Sequence, residues 1–141
     1  NEGVAANVSR TKGALGYVEY AYAKRNKIPA MALQNKDGNY VMPDDETFAA
    51  AAAGADWFSV PGMGLTIFNQ PVAKAYPVTT ASFILMYKEP ANKAESAEVL
   101  KFFDWAFKNG KGMATDLDYV PLPDALTAQI RQRVFSQINT K

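Results

Sequence analysis

Residues 13–23 read Gly13-Ala-Leu-Gly-Tyr-Val-Glu-Tyr-Ala-Tyr-Ala23. Gly13 interrupts whatever helical pattern precedes it, because glycine is the residue most tolerant of a break in backbone conformation. Leu15-Gly-Tyr-Val-Glu-Tyr20 is then rich in residues that suit a pleated, half-buried surface, so the stretch is predicted as a short strand. From Ala21 to Asn26 the pattern turns helical, and Pro29 marks its end. A strand running straight into a helix is the building unit of an α/β fold.

Working outward, Val4, Ala5 and Val8 fall on one face of a helix over residues 2–10. Downstream, strands are predicted at Ala30–Gln34 and Tyr40–Met42, joined around Asp37-Gly38, a step that tolerates positive φ and favours a hairpin. Pro43-Asp-Asp-Glu46 opens a helix that carries acidic residues at the positive end of its dipole, with alanines continuing it to Gly54. Residues 57–76 carry Pro61, Gly62, Gly64 and Pro71 and read as loop. Thr79-Thr-Ala-Ser-Phe-Ile-Leu-Met-Tyr87 is the longest strand candidate, and its nearly continuous apolar run suits a strand covered on both faces. Asn92 or Ser96 begins a long helix with Val99, Leu100, Phe103 and Phe107 at helical spacing and Gly110 as its stop. Met113–Tyr119 is a short turn or helix. After Pro121-Leu-Pro-Asp124 comes a last helix in which Leu126, Ile130, Val134 and Ile138 recur every four residues. Strands alternating with helices predict an α/β fold with helices layered on a sheet.

Composition removes whole classes of chemistry. The 141 residues include neither cysteine nor histidine, which excludes disulfides, thiol nucleophiles, Cys/His zinc sites and histidine-based acyl transfer. Fifteen basic and fourteen acidic residues are mixed along the chain, so the basic footprint needed for nucleic acid is missing and no nucleic-acid partner is expected. No Gly-x-x-x-x-Gly-Lys loop and no Ser-x-x-Lys pair occurs. No apolar run approaches the roughly 20 residues that span a bilayer. Because the first residues already read as helix, and neither Met nor a signal peptide leads them, the chain is expected to be a processed or truncated piece.

Six blocks in sequence order carry a resemblance. They are Asn1-Glu-Gly-Val-Ala-Ala6, Gly13 to Lys24, Gly54-Ala-Asp-Trp57, Tyr76-Pro-Val-Thr-Thr-Ala-Ser-Phe-Ile-Leu85, Val99 to Lys108 and Asp116-Leu-Asp-Tyr-Val-Pro-Leu-Pro-Asp124. Together they resemble the C-terminal part of the periplasmic phosphate-binding component of the bacterial high-affinity phosphate ABC transporter. The resemblance implies a two-lobed periplasmic-binding-protein fold, type 2-like, of which this chain is only the C-terminal part. Residues 1–75 would finish the second lobe, 76–80 would cross between lobes, and 81–141 would return to complete the first lobe. It also implies an exported protein that binds inorganic phosphate in a cleft and hands it to a membrane permease. The family's Arg-x-x-x-Ser-Gly-Thr phosphate-binding stretch is absent, so no phosphate ligand is assigned here; those residues are expected upstream of Asn1, in the N-terminal half that would complete the protein. The alternative is a cell-surface interaction protein, or a non-transport oxyanion binder, on the same fold.

Pro77, Thr79 and Thr80 are the candidate hinge residues, since the resemblance places them in the crossing. No catalytic residue, cofactor or metal ligand is expected. Asp116 and Asp118 read as caps or turn formers ahead of Pro121. Asp44, Asp45 and Glu46 read as dipole compensation, and Glu19 as facing solvent or bonding between lobes. Phe103 and Phe107 read as core, whereas Phe102 and Trp105 are placed at a lobe edge or on a surface meeting the absent half.

Overall fold

A computed structural model describes all residues from Asn1 to Lys141. Six helices and one small hairpin follow in order: α1 Glu2–Arg10, α2 Tyr20–Arg25, β1 Leu33–Gln34, β2 Tyr40–Val41, α3 Asp45–Ala53, α4 Lys93–Asn109, α5 Lys111–Asp116 and α6 Asp124–Arg133. Short 3₁₀ turns lie at Pro61–Met63 and Phe135–Gln137.

The strongest local signals are realised. Asp44 caps α3, accepting the Thr47 N–H at 2.8 Å, while the Thr47 hydroxyl accepts the Asp44 N–H at 3.0 Å. This reciprocal box satisfies two donors that a helix start leaves free. Asn92 caps α4 by accepting the Glu95 N–H at 3.1 Å. The predicted hairpin forms with Leu33 opposite Val41 and Gln34 opposite Tyr40. Gly38 takes φ +83 at its tip, where a side chain would be strained.

Two predicted strands do not form. Residues 14–19 run irregularly between α1 and α2, and Tyr20 already belongs to α2. Gly16 lets this stretch lie close against α1, since a Cβ there would meet Val8 Cγ2 at 2.7 Å and Val4 Cγ1 at 2.9 Å. The run 79–87 is likewise outside any ladder; Phe83, Ile84, Leu85 and Tyr87 are all exposed, Leu85 at 92%. The physical reason is shared: β-favouring side chains express a strand only where neighbours supply the ladder and cover the faces. The sole sheet is therefore the two-stranded hairpin, and the layered sheet expected from sequence is absent from this chain. The last helix also stops short, at Arg133, with Phe135–Gln137 continuing as a 3₁₀ turn.

Just 15 of the 141 residues are buried, so most apolar side chains remain half-buried or exposed. The central cluster is Ala52, Trp57, Ile67 and Leu126, flanked by Phe58, Leu65, Ala81, Leu122 and Ile130. It draws on both sides of residues 76–80. Trp57 donates its indole N–H to the Ala52 carbonyl at 2.7 Å, which satisfies the one polar group the ring buries. One turn before Ala52 on α3, the Phe48 ring lies edge-on to Tyr20 at 5.4 Å and to Tyr76 at 5.5 Å.

Candidate functional site

Residues 76–80, the expected crossing, are anchored by backbone and ring contacts. Tyr76 donates its N–H to the Thr47 carbonyl at 3.1 Å and its hydroxyl to the Met31 carbonyl at 3.3 Å. Burial raises the pKa of its phenol, because a phenolate is poorly solvated there. The Pro77 carbonyl accepts the Asn69 N–H at 2.9 Å. Thr79 is buried, and its hydroxyl donates to the Tyr76 carbonyl at 2.8 Å. Thr80 is exposed. Of the three hinge candidates, then, Pro77 and Thr79 are tied back toward residues 69–76, and Thr80 marks where those ties end.

Asn35 is the residue that sequence reading missed. It is buried ahead of the hairpin turn, and its amide N–H groups reach the carbonyls of Val72, Ala73 and Ala75 at 3.4, 2.9 and 3.3 Å. Its side-chain oxygen accepts the N–H groups of Asp37 and Asn39, both at 3.1 Å. One side chain thus fixes the hairpin turn and fastens the chain just before residues 76–80. The available signal was an Asn two residues before an Asp-Gly step, the position that suits an Asx turn.

The acidic candidates fall into separate places and do not converge. Glu46 pairs with Lys74 at 2.6 Å on the surface, and Asp45 sits with it in the first turn of α3. Asp118 pairs with Lys24. Asp116 is the last residue of α5. The Glu19 carboxylate stands beside the Tyr119 phenol and raises its pKa, while the Glu19 N–H donates to the Asn1 side-chain oxygen at 2.8 Å. No group of three or more acidic side chains is close enough to hold a metal ion.

A shallow groove of about 380 Å³ runs along α4, lined by Leu100, Lys101, Asp104, Trp105, Lys108 and Phe135. Its cations are already engaged: Lys101 pairs with Glu98, and Lys108 bonds the Asp104 carboxylate, which also accepts from Arg131 nearby; Lys108 and Arg131 lower the pKa of Asp104 despite some desolvation. Such a groove offers no uncompensated donor for an oxyanion. Phe103 and Phe107 are half-buried, the latter stacked on Phe135 at 6.1 Å; Phe102 and Trp105 remain exposed and stack on each other at 6.4 Å.

No protein-family model matches the chain. Relatives do. The phosphate-binding protein PstS of Pasteurella multocida is 49% identical over 140 residues, covering 99% of this chain and 41% of that protein. The chain is a homologue of the PstS phosphate-binding proteins. PstS of Haemophilus influenzae is 47% identical over 133 residues, 94% of this chain and 40% of its own length. The archaeal PstS of Methanocaldococcus jannaschii is 32% identical over 136 residues, 88% of this chain and 35% of that protein. The match falls on the C-terminal part of the PstS relatives, and the chain spans about two fifths of the length of the first two. The resemblance carried by the six sequence blocks is thereby established for nearly the whole chain.

Proposed function

We propose that this chain forms the C-terminal part of an exported solute-binding protein that holds inorganic phosphate in a cleft between two lobes and delivers it to the permease of a phosphate ABC importer. The observation that carries this reading is the 49% identity to a phosphate-binding protein across 99% of the chain. On this reading the protein is periplasmic and catalyses no reaction: ligand binding shifts an equilibrium between open and closed lobes. Residues 1–75 belong to one lobe, 81–141 to the other, and Pro77, Thr79 and Thr80 flex between them.

Two features of the chain support the reading. The cations beside the α4 groove, Lys108 and Arg131, are both engaged by the Asp104 carboxylate, which agrees with phosphate ligands supplied by the N-terminal half. Its β-favouring stretches 15–18 and 81–87 form no backbone hydrogen bond, so extended partners have room to pair with them. The N-terminal half of the same protein is the proposed source of those partners.

The test is an anion titration of the whole protein by calorimetry. Tight binding of phosphate, with sulfate at equal concentration failing to compete, is the expected result. Failure to bind phosphate would contradict the proposal and favour an interaction protein built on the same fold.

A further inference from the structure

Two helix ends that are distant in sequence meet at one point on the surface. Both α2 and α5 finish in the same way. In α2, Lys27 adopts φ +53, donating its N–H to the Lys24 carbonyl at 3.1 Å, and Ile28 reaches the Ala23 carbonyl at 2.9 Å. In α5, Asp118 adopts φ +63 and bonds the Thr115 carbonyl at 3.0 Å, and Tyr119 reaches the Ala114 carbonyl at 2.9 Å. This pair of bonds defines a Schellman end, whose left-handed position is normally filled by glycine. Asp118 fills it with a carboxylate instead, at a conformational cost that glycine would avoid.

That carboxylate is used. It accepts a bond from Lys24, in the last turn of α2 and 94 residues away in sequence, and its side chain is only 19% exposed. Beside it, the Arg25 guanidinium donates to the Leu117 carbonyl at 3.2 Å, at the negative end of α5. The Asp118 carboxylate favours the charged lysine, raising its pKa. Glu19, at the start of α2, lies against Tyr119. Two cations of α2 are thus gripped by the end of α5, on the opposite side of the crossing in sequence.

We propose that this α2–α5 contact is a latch: Lys24 and Arg25 hold the end of α5, and the latch favours the arrangement in which residues 1–75 and 81–141 lie close together. It rests on the lobe assignment proposed above, and in the whole binding protein it would stabilise the closed, phosphate-holding form. The carboxylate at Asp118 is the part of the device that a purely structural helix end would not require, since Lys27 closes α2 in the same conformation without one.

Asp118→Gly tests it, because glycine suits the backbone there and removes only the carboxylate; Lys24→Gln and the double variant accompany it in the whole protein. One readout is the distance distribution between spin labels on cysteines introduced at Lys36 and Lys101, since this chain has no cysteine of its own. The other is phosphate affinity by calorimetry. Each single variant is expected to broaden the distribution in ligand-free protein and weaken phosphate binding about two- to fivefold, the range of a partly exposed ion pair. The double variant should do no more than either single one. An unchanged distance distribution overturns the latch, whatever the affinity does. Additive effects overturn it as well. If the wild-type protein binds no phosphate, the proposed function fails, and the distances alone decide whether the latch exists.

Discussion

At the scale of single residues, the chain is organised by a few polar side chains whose partners are complete. Asn35 makes contacts with five backbone groups, which no aliphatic residue could replace. Asn35→Ala should lower unfolding stability by about 1–3 kcal/mol, because buried carbonyls lose their donors; chemical denaturation of the two proteins measures it. Asp44→Ala should cost less, about 1 kcal/mol, since it removes a cap at a solvent-accessible helix start. Tyr76 adds a pH dependence. Its folded pKa lies above the ordinary 10.0, so its contribution is complete below that value and is lost as pH rises through the folded pKa. Tyr22 and Tyr119 are raised too, chiefly by the carboxylates of Glu2 and Glu19, and add to the same alkaline loss. Melting temperature should therefore fall above about pH 10, and Tyr76→Phe should flatten part of that fall. A variant as alkali-sensitive as the wild type would contradict the role given to the phenol.

At the scale of elements, what could be read from sequence was what is decided locally. Caps, the Asp-Gly turn and four-residue spacing placed α3, α4, α6 and the hairpin, because each depends on contacts within a few residues. Residues 15–20 and 79–87 carry the composition of strands yet lack a ladder, since pairing depends on chain distant in sequence. The hinge candidates rest on resemblance alone; composition offered no signal for them, and the anchoring of Thr79 to Tyr76 emerged only from the structure. Asn35 escaped notice because its amide reaches carbonyls 37–40 residues away. The exposed strand-like run supports a further expectation. Leu85→Lys should leave the helical content of the isolated chain unchanged, since Leu85 is 92% exposed, while reducing self-association measured by sedimentation. Unchanged association would show that other surfaces, such as Phe102 and Trp105, dominate it.

At the scale of the whole molecule, a small core, open apolar surface and similarity to two fifths of longer relatives fit one picture. On the proposed function, the chain supplies part of the architecture on which a phosphate cleft closes, and the oxyanion's own donors come from the N-terminal half. The stretch from Gly13 to Ala23 illustrates the division of labour. Its Gly16 packs it tightly over α1, and its helix carries Lys24 toward Asp118. Complementation is the most direct measurement. The 141-residue chain and the separately produced N-terminal half are each titrated with phosphate by calorimetry, then titrated again after being mixed. Neither part alone should bind tightly, and the mixture should recover tight binding at one phosphate per pair. Submicromolar phosphate binding by the 141-residue chain alone would contradict the placement of the ligands outside it.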